Sequence, residues 1–397
     1  MSSGAAAREL NDLRLLGAFG TNKVMAGELS RLVRRAFDDV RLPEPRKADV
    51  GALVYPFDPR VARLAAVYHR TSARVLWDVI ETRAPRLSPL FDDVVSLAVP
   101  RITRWLWPDA KISVYALNVK SFAAGERQIV GTVKNALIEA ASRKGFEVTV
   151  DGEMPDVVFS VRGDDDLVRV SIDLAGRPMN QRGYRRDAGL APLREDLAAV
   201  LLMLARYDAR QDVLIDPMAG SGTIAIEAAC MAKALPVFVP PRRPLVMDMP
   251  EFRDLAPAGG EGLFADTNPV ILASDVDPGL ASVVREGAEA AGVAASICVE
   301  TSDFRDLSVR QVRTLSGADM LERGLIISNP PYGERMRPDE LHELYADLGR
   351  FCANFPGFRA AFLVANPDFE AAFGGRPRIK KPLSNGPLRG HFYLYEL

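Results

Sequence analysis

The sequence predicts an α/β chain: a seven-stranded, mostly parallel sheet with an antiparallel carboxyl-terminal strand, preceded by a smaller α+β unit. Three observations predict it. From residue 212 onward, short apolar strands alternate with helical stretches, the pattern of a parallel sheet with crossover helices. The first of those strands runs into a glycine-rich turn, Asp216-Pro217-Met218-Ala219-Gly220-Ser221-Gly222-Thr223, that permits close backbone approach by a ligand. The fourth breaks abruptly at Asn329-Pro330-Pro331-Tyr332, where two prolines remove two backbone donors and fix φ, so neither helix nor central strand continues.

The totals set the frame. The 397 residues suggest two or three domains, and 48% hydrophobic with 26% charged residues describes an ordinary globular protein. No apolar run reaches the roughly 18 residues of a transmembrane helix, and the first eleven residues lack a secretion signal. Cys230, Cys298 and Cys352 are scattered and form neither a disulfide framework nor a zinc signature, so a reducing cytoplasm and no metal are expected. The net charge of -2 hides an asymmetry: residues 1–120 carry 19 basic against 13 acidic residues, the remainder 31 against 39. A basic amino-terminal part on an acidic partner points to a polyanion ligand.

Taken in order, residues 1–55 read as a helical segment, with Leu13, Leu16, Val24, Leu29, Leu32, Val33 and Phe37 at three- and four-residue steps. Asp58-Pro59 starts a further helix, with Pro59 at its first position, running through Val61, Leu64 and Tyr68 and on to Val75 and Leu76. Residues 112–119 read as a strand. An amphipathic helix covers 127–143, with Ile129, Val133, Leu137 and Ala140 on one face and Gly145 as its stop. Strands at 156–162 and 167–174 pair across the turn Gly163-Asp164-Asp165-Asp166. Residues 56–176 thus form an α+β unit. Residues 177–193 read as an ordered connector facing the active site, rich in Arg177, Arg182, Arg185 and Arg186, with Arg194 and Arg206 close by.

The domain over 194–397 opens with a helix at 194–206. Its strands fall at 212–216, 270–275, 295–300, 324–328 and 358–365, and a final pair near 378–383 and 391–396 forms a hairpin at Ser384-Asn385-Gly386. Because it holds a complete sheet, a fragment starting near Ala188 is expected to fold and bind its small ligand alone. The segment 234–262, with six prolines and Arg242-Arg243, reads as an excursion over the ligand face.

The chemistry sits at the carboxyl ends of the strands, where open α/β sheets hold ligands. The glycine-rich turn has no lysine for triphosphate chemistry, and Ala225 stands where the dinucleotide fingerprint has its third glycine, a variant that still permits a dinucleotide. Asp275, ending the second strand, offers a carboxylate to both hydroxyls of an adenosine ribose, and Asp277-Pro278 caps the next helix. After the third strand, Asp303 can accept from an adenine amino group and Phe304 can stack on the purine. At the fourth, the Asn329 amide oxygen and the Pro330 carbonyl can accept the two hydrogens of a conjugated amine while Tyr332 stacks on its ring.

This constellation resembles the class I S-adenosylmethionine-dependent methyltransferases of Rossmann-like fold that methylate amines. The runs DLAGRPMNQRGYR, GLAPLRE, DPMAGSGTIAIEAA, SDVDP, NPPYGERM and NGPL resemble the family that methylates N2 of guanosine in ribosomal or transfer RNA, which joins a THUMP RNA-binding domain to the catalytic one. The resemblance covers about residues 60–397. It implies S-adenosylmethionine as cofactor, bound by Asp216, Ala219, Gly220, Gly222, Thr223, Asp275, Asp303, Phe304 and Asn329. It implies catalysis at Asn329, Pro330, Pro331 and Tyr332 by in-line transfer to an unpaired or flipped-out guanosine. RNA phosphates would meet Arg182, Arg185, Arg186, Arg242 and Arg243. A monomeric cytoplasmic enzyme is expected. The alternatives are adenine N6 or a protein glutamine as the amine, a dehydrogenase, or an RNA-binding module without catalysis.

Overall fold

The computed structural model describes residues 7–49, 51–120, 124–185, 193–255, 267–317, 322–332, 336–385 and 388–397. The amino-terminal half runs β1 (Arg8–Leu16), α1 (Asn22–Ala36), β2 (Arg46–Asp49), β3 (Ala52–Pro56), α2 (Pro59–Tyr68), β4 (Arg74–Arg83), α3 (Leu87–Ala98), α4 (Ile102–Trp105), β5 (Lys111–Lys120), α5 (Glu126–Arg143), β6 (Thr149–Val150), β7 (Val157–Asp164) and β8 (Leu167–Asp173). The carboxyl-terminal half runs α6 (Glu195–Leu204), β9 (Val213–Asp216), α7 (Thr223–Ala232), β10 (Val270–Asp275), α8 (Pro278–Ala290), β11 (Ile297–Thr301), α9 (Val309–Ser316), β12 (Gly324–Ser328), α10 (Pro338–Ala353), β13 (Arg359–Val364), α11 (Phe369–Phe373), β14 (Ile379–Asn385) and β15 (Leu388–Glu396).

The second sheet has the order β11-β10-β9-β12-β13-β15-β14, parallel except that β15 runs antiparallel to both neighbours. The expected strands all form. β12 shows why a continuous apolar run suits a central strand: successive side chains point to opposite faces, and both faces are covered. Leu325 and Ile327 join the core with α6, α7 and α8, while Ile326 packs with α10. The chain order reverses between β9 and β12, the switch point where such sheets open a crevice.

The first sheet has eight strands in the order β2-β3-β1-β4-β8-β7-β5-β6. Its core lies on one face: Val168, Val170 and Ile172 of β8 belong to the same apolar core as Ile129, Val133 and Leu137 of α5. The opposite face is polar, and Arg14, Asp78 and Ser171 bond across β1, β4 and β8. Local signals read as expected at several ends. The Asp58 carboxylate accepts from the Arg60 and Val61 amides at 2.8 and 3.4 Å, and Pro59 opens α2. Asp277 caps α8 through the Gly279 amide at 2.8 Å.

Several elements differ from expectation. Residues 1–55 are not a helical segment: α1 carries Leu29, Leu32 and Val33, but Leu13 and Leu16 lie on β1, which pairs with β3 and β4 inside the sheet. The apolar residues buried there are Leu13 and Leu15 on the core face, while Arg14 between them is buried on the opposite face against Asp78, a period of two. α2 ends at Tyr68, and Val75 and Leu76 belong to β4. The β7–β8 turn is tighter than expected, since Gly163 and Asp164 continue β7 and Asp165 turns at φ +48°. Gly386 of the final hairpin lies outside the described residues.

The segment after α7 does not, over its described residues 234–255, lie over the ligand face; it straps back onto the amino-terminal half, and residues 256–262 of the expected excursion lie outside the described residues. The Val237 amide donates to the Val67 carbonyl at 2.7 Å and the Val246 amide to the Leu174 carbonyl at 2.9 Å. Val237, Phe238, Val246, Met249 and Phe252 are buried in the amino-terminal core, and Phe252 meets Phe57 and Trp77 edge-on. Arg104 pairs with Glu251 through two bonds of 2.7 Å.

Candidate active site

The site is assembled at the carboxyl edge of the second sheet, where in spatial order Asp303 lies just past β11, Asp275 ends β10, Asp216 ends β9 and Asn329 directly follows β12. The glycine-rich turn joins two of these strand ends. Its Ala219 amide donates to the Ser274 carbonyl at 2.9 Å and its Gly220 amide to Asp275 Oδ2 at 2.8 Å. Asp275 Oδ1 accepts from the Asp277 amide at 3.1 Å. Each carboxylate oxygen has a second lone pair, so Asp275 can still accept from hydroxyls.

The two glycines serve different ends. Both are left-handed, with φ of +54° at Gly220 and +75° at Gly222. At Gly222 a Cβ would stand 2.7 Å from Val284 Cγ1, so its lack of a side chain lets α7 pack on α8. At Gly220 a Cβ would meet no atom within 4 Å. The loop therefore presents bare backbone to open space, a cradle that fits a small cofactor lying along it. Thr223, the first residue of α7, is buried, and its Oγ1 lies 3.2 Å from Ser221 Oγ.

Asp216 is 1% exposed and accepts from Ser328 Oγ at 2.7 Å; the same hydroxyl lies 3.1 Å from the Met218 carbonyl. Burial pushes its carboxyl up to about 7, against the Ser328 hydrogen bond and with the charge of Asp275 adding to the rise. Ser328 thereby ties the end of β12 to the end of β9. It was absent from the sequence-level site, although its place directly before Asn329 was a signal.

At the tip, Pro330 is buried, while Asn329 and Tyr332 are half-buried and Pro331 is exposed. The Tyr332 hydroxyl donates to Asn329 Oδ1, and Tyr345, buried against Phe369, donates to the Pro331 carbonyl at 2.7 Å. The tip is held rigid from both sides. Burial pushes the Tyr332 phenol up to about 12, so it stays a neutral donor.

At the third strand end the expectation for Phe304 changes, while Asp303 keeps an accessible carboxylate. Phe304 is 3% exposed, packed edge-on against Phe351, with the Arg305 guanidinium over its ring, so no free face remains for a purine. Asp303 caps the turn at Arg305 and pairs with that guanidinium at 2.9 Å.

The arginines sort into two groups. Arg182 is fully buried and reaches Glu227, the Met179 carbonyl and the Arg70 carbonyl, so it is no phosphate ligand. Arg185 is turned inward too, donating to the Leu193 carbonyl at 3.0 Å and to Thr223 Oγ1 at 2.5 Å. Arg186 lies outside the described residues. Arg242 and Arg243 are exposed, the first lying over Gly183 and the second 2.9 Å from Asp248.

With this geometry in place, likeness to known proteins becomes informative. Residues 182–393 match the RMKL-like methyltransferase domain. The chain is 33% identical over 355 residues to the ribosomal RNA large subunit methyltransferase K/L of Syntrophotalea carbinolica, covering 83% of this chain and 47% of that one. The chain thus spans about half the length of that relative. YpsC of Bacillus subtilis is 28% identical over 361 residues, covering 88% of this chain and 89% of that one. Among solved structures, a possible methylase from Clostridium difficile 630 superposes with a TM-score of 0.78 at 27% identity, covering 97% of this chain and 98% of that one. SMU.472, complexed with SAH, gives a TM-score of 0.80 at 23% identity over 98% of both chains, a likeness of fold.

Proposed function

The chain belongs to the RMKL-like methyltransferase family, and on that premise we propose that it transfers a methyl group from S-adenosylmethionine to the exocyclic N2 amine of a guanosine in RNA. The observation that carries the reading is the rigid Asn329-Pro330-Pro331-Tyr332 tip one strand away from the open glycine loop and its Asp275 anchor. Asp216, Ala219, Gly220, Gly222, Thr223 and Asp275 would hold the cofactor, which when bound supplies an electrophilic methyl group.

The protein's own part is positioning and charge stabilisation. A conjugated amine is a poor nucleophile because its lone pair is delocalised. Acceptors aimed at its two N–H bonds favour the pyramidal, attacking form and stabilise the positive charge that develops. Asn329 Oδ1 has two lone pairs; the Tyr332 hydroxyl takes one, which fixes the orientation of the amide and leaves the other for the amine. The Pro330 carbonyl is the second acceptor. The ring of Tyr332 orients the base, and positioning supplies much of the remaining rate. Nothing in this scheme needs a covalent intermediate.

The names of the Syntrophotalea relative and its like support RNA of the large ribosomal subunit as the substrate class. The basic amino-terminal half, THUMP-like by sequence over residues 56–176, is the proposed RNA-capturing part, and the exposed Arg242 and Arg243 on the strap that packs against it would add to its charge. We take the enzyme to act as a monomer.

The test is direct. Purified protein, labelled S-adenosylmethionine and ribosomal or transfer RNA from a strain lacking the gene should yield N2-methylguanosine on nucleoside mass spectrometry. N6-methyladenosine instead would reassign the amine, and no product with either RNA would remove the proposed activity.

A further inference from the structure

Every exposed residue of α1 is basic: Lys23, Arg31, Arg34 and Arg35. The helix's one carboxylate, Glu28, is fully buried. Lys23, Gly27, Arg31 and Arg34 recur at steps of four, four and three, so they share one helical face. A Cβ on Gly27 would meet no atom within 4 Å, which leaves the middle of this stripe open. From Lys23 to Arg34 the stripe is about 16 Å long. The first turn of α1 holds no acid, so the positive end of the helix adds to the same field.

The β1–α1 loop carries the stripe onto the second sheet. Thr21 Oγ1 donates to the Ala18 carbonyl at 2.7 Å and the Gly17 amide to the Gly51 carbonyl at 2.8 Å, so the loop is pinned on both sides of Phe19, whose side is 53% exposed. Gly20, at φ +82°, seats the loop on β14: a Cβ there would stand 3.0 Å from the Pro382 carbonyl oxygen and 3.9 Å from Lys381 Cε. Ile379 and Leu383 of β14 belong with the core of α6 and α7, so Lys381 between them points to that face. Burial and the Lys23 charge both hold the Lys381 ammonium below its usual range, and among the described residues neither lysine forms an ion pair. Two like charges at such a seam are unfavourable until an anion lies across them. The seam also shares the edge that holds the reacting tip. Ser328 pairs with Phe362, Phe362 with Tyr393 and Tyr393 with Lys380, so Lys381 stands level with Asn329. Three strand spacings, roughly 15 Å, separate β14 from β12.

Resting on the reading that this chain methylates RNA, we propose that the α1 stripe and Lys381 hold the phosphate backbone of the substrate beside the target nucleotide, and that Phe19 stacks on an unpaired base of that RNA. Charge complementarity selects a polyanion, since the cations of α1 and Lys381 have no exposed acid of α1 among them. Phosphates follow one another about every 3.4 Å along one strand of a duplex, so the stripe reaches several of them. An exposed ring beside a basic groove takes the flat face of any base, whatever the sequence. The patch lies outside residues 56–176, so the RNA is held at the seam of the two halves as well as by the THUMP-like stretch.

Fluorescence anisotropy of the full chain with two labelled RNA hairpins, one blunt and one with a single-stranded 3′ extension, tests this at two salt concentrations. The unaltered protein should bind both, the extended one more tightly. Lys23→Gln with Lys381→Gln should weaken both by on the order of tenfold at low salt and flatten the log–log salt dependence by about two. Lys23→Arg with Lys381→Arg, which keeps both charges, should bind as the unaltered chain does. Phe19→Ala should weaken the extended hairpin by about five- to a hundredfold and the blunt one by less than about twofold. Unchanged S-adenosylhomocysteine affinity in each variant reports an intact fold. Lysine variants with unaltered affinity and salt slope overturn the patch, and so does a Phe19→Ala loss that is equal for the two hairpins. If the unaltered protein binds neither hairpin, the RNA reading itself falls and the patch with it.

Discussion

Asn329 is the residue on which the chemistry turns. Asn329→Ala removes an acceptor that acts on the amine and leaves the glycine loop untouched, so turnover should fall by on the order of a hundredfold or more while S-adenosylhomocysteine affinity holds. Single-turnover assays beside calorimetry check both halves; full activity would sink the mechanism. Asp216 gives a second residue-scale test, of stability. Its folded value is raised to about 7 from an ordinary 3.8, chiefly by burial. The folded state therefore holds a proton that the unfolded chain releases, and this contribution is fully present below pH 4 and lost as pH rises towards 7. Asp216→Asn, which keeps an acceptor for Ser328, should melt higher than the unaltered protein at pH 8 and lose that advantage near pH 4. A constant offset across pH would mean that Asp216 is not strained by its burial. Residues of this kind were legible in the sequence where a strand end dictated their position, as at Asp216, Asp275 and Asn329. Phe304 was misread because its neighbours Phe351 and Arg305 decide which way the ring faces, and the sequence orders residues without aiming them. Arg182 was misread because its partner Glu227 lies 45 residues away.

At the scale of elements, the loop between β9 and α7 is the one on which most depends, and its two glycines should respond differently to the same change. Gly222→Ala adds a methyl against Val284 at a positive φ, so backbone strain and overpacking together should cost about 2–4 kcal/mol. Val284→Ala in the same chain should recover the packing part and not the backbone part. Gly220→Ala meets no atom within 4 Å and should cost about 1 kcal/mol of stability. It should nevertheless weaken S-adenosylhomocysteine binding, because its methyl stands where the ligand would lie. Thermal melts with and without S-adenosylhomocysteine separate these outcomes; equal ligand binding in Gly220→Ala would show that the loop's open side is not the binding side. The element reading succeeded from 212 onward because the central strands β9, β10, β12 and β13 are short runs buried on both faces, and each strand is flanked by its own turn signals. It failed over 1–55 because β1 is specified by partners far along the chain: Leu13 pairs with Tyr55 and Trp77. Its alternation of Leu13, Arg14 and Leu15 is too brief to outweigh the leucine spacing that continues into α1. The strap at 237–255 was misplaced for a similar reason, since prolines mark irregular backbone but say nothing of which surface it follows.

For the whole molecule, the two sheets are joined by apolar and ionic contacts alike, an interlock that predicts one folding unit. Val237, Phe238, Val246, Met249 and Phe252 leave the carboxyl-terminal half to complete the amino-terminal core. In the other direction, Glu227 of α7, fully buried, is held by Arg70 at 2.9 Å, Arg182 at 3.2 Å and the Tyr184 hydroxyl at 3.1 Å. Burial alone would push the Glu227 carboxyl up, but the two guanidinium groups outweigh it and hold it below the ordinary range. The interlock therefore stands above the ordinary carboxylate range and weakens only as pH falls through the depressed value. A fragment starting at Ala188 loses Arg70, Arg182 and Tyr184 together. Breaking a buried pair from one side costs about 3–5 kcal/mol, a large part of a domain's whole stability, and the strap's apolar side chains lose their cover as well. The fragment should therefore be insoluble or unable to bind S-adenosylhomocysteine, against the expectation drawn from its complete sheet. The intact chain offers a cleaner measurement. Its three tryptophans, Trp77, Trp105 and Trp107, all lie in the amino-terminal half, so tryptophan fluorescence reports that half together with the strap whose Phe252 meets Trp77. S-adenosylhomocysteine binding reports the other. In a urea series the two signals should be lost at one midpoint, as a single cooperative transition requires. Glu227→Ala should lower both midpoints together. Two separated transitions would show that the halves fold independently, and that the strap and the ion cluster are surface docking contacts only.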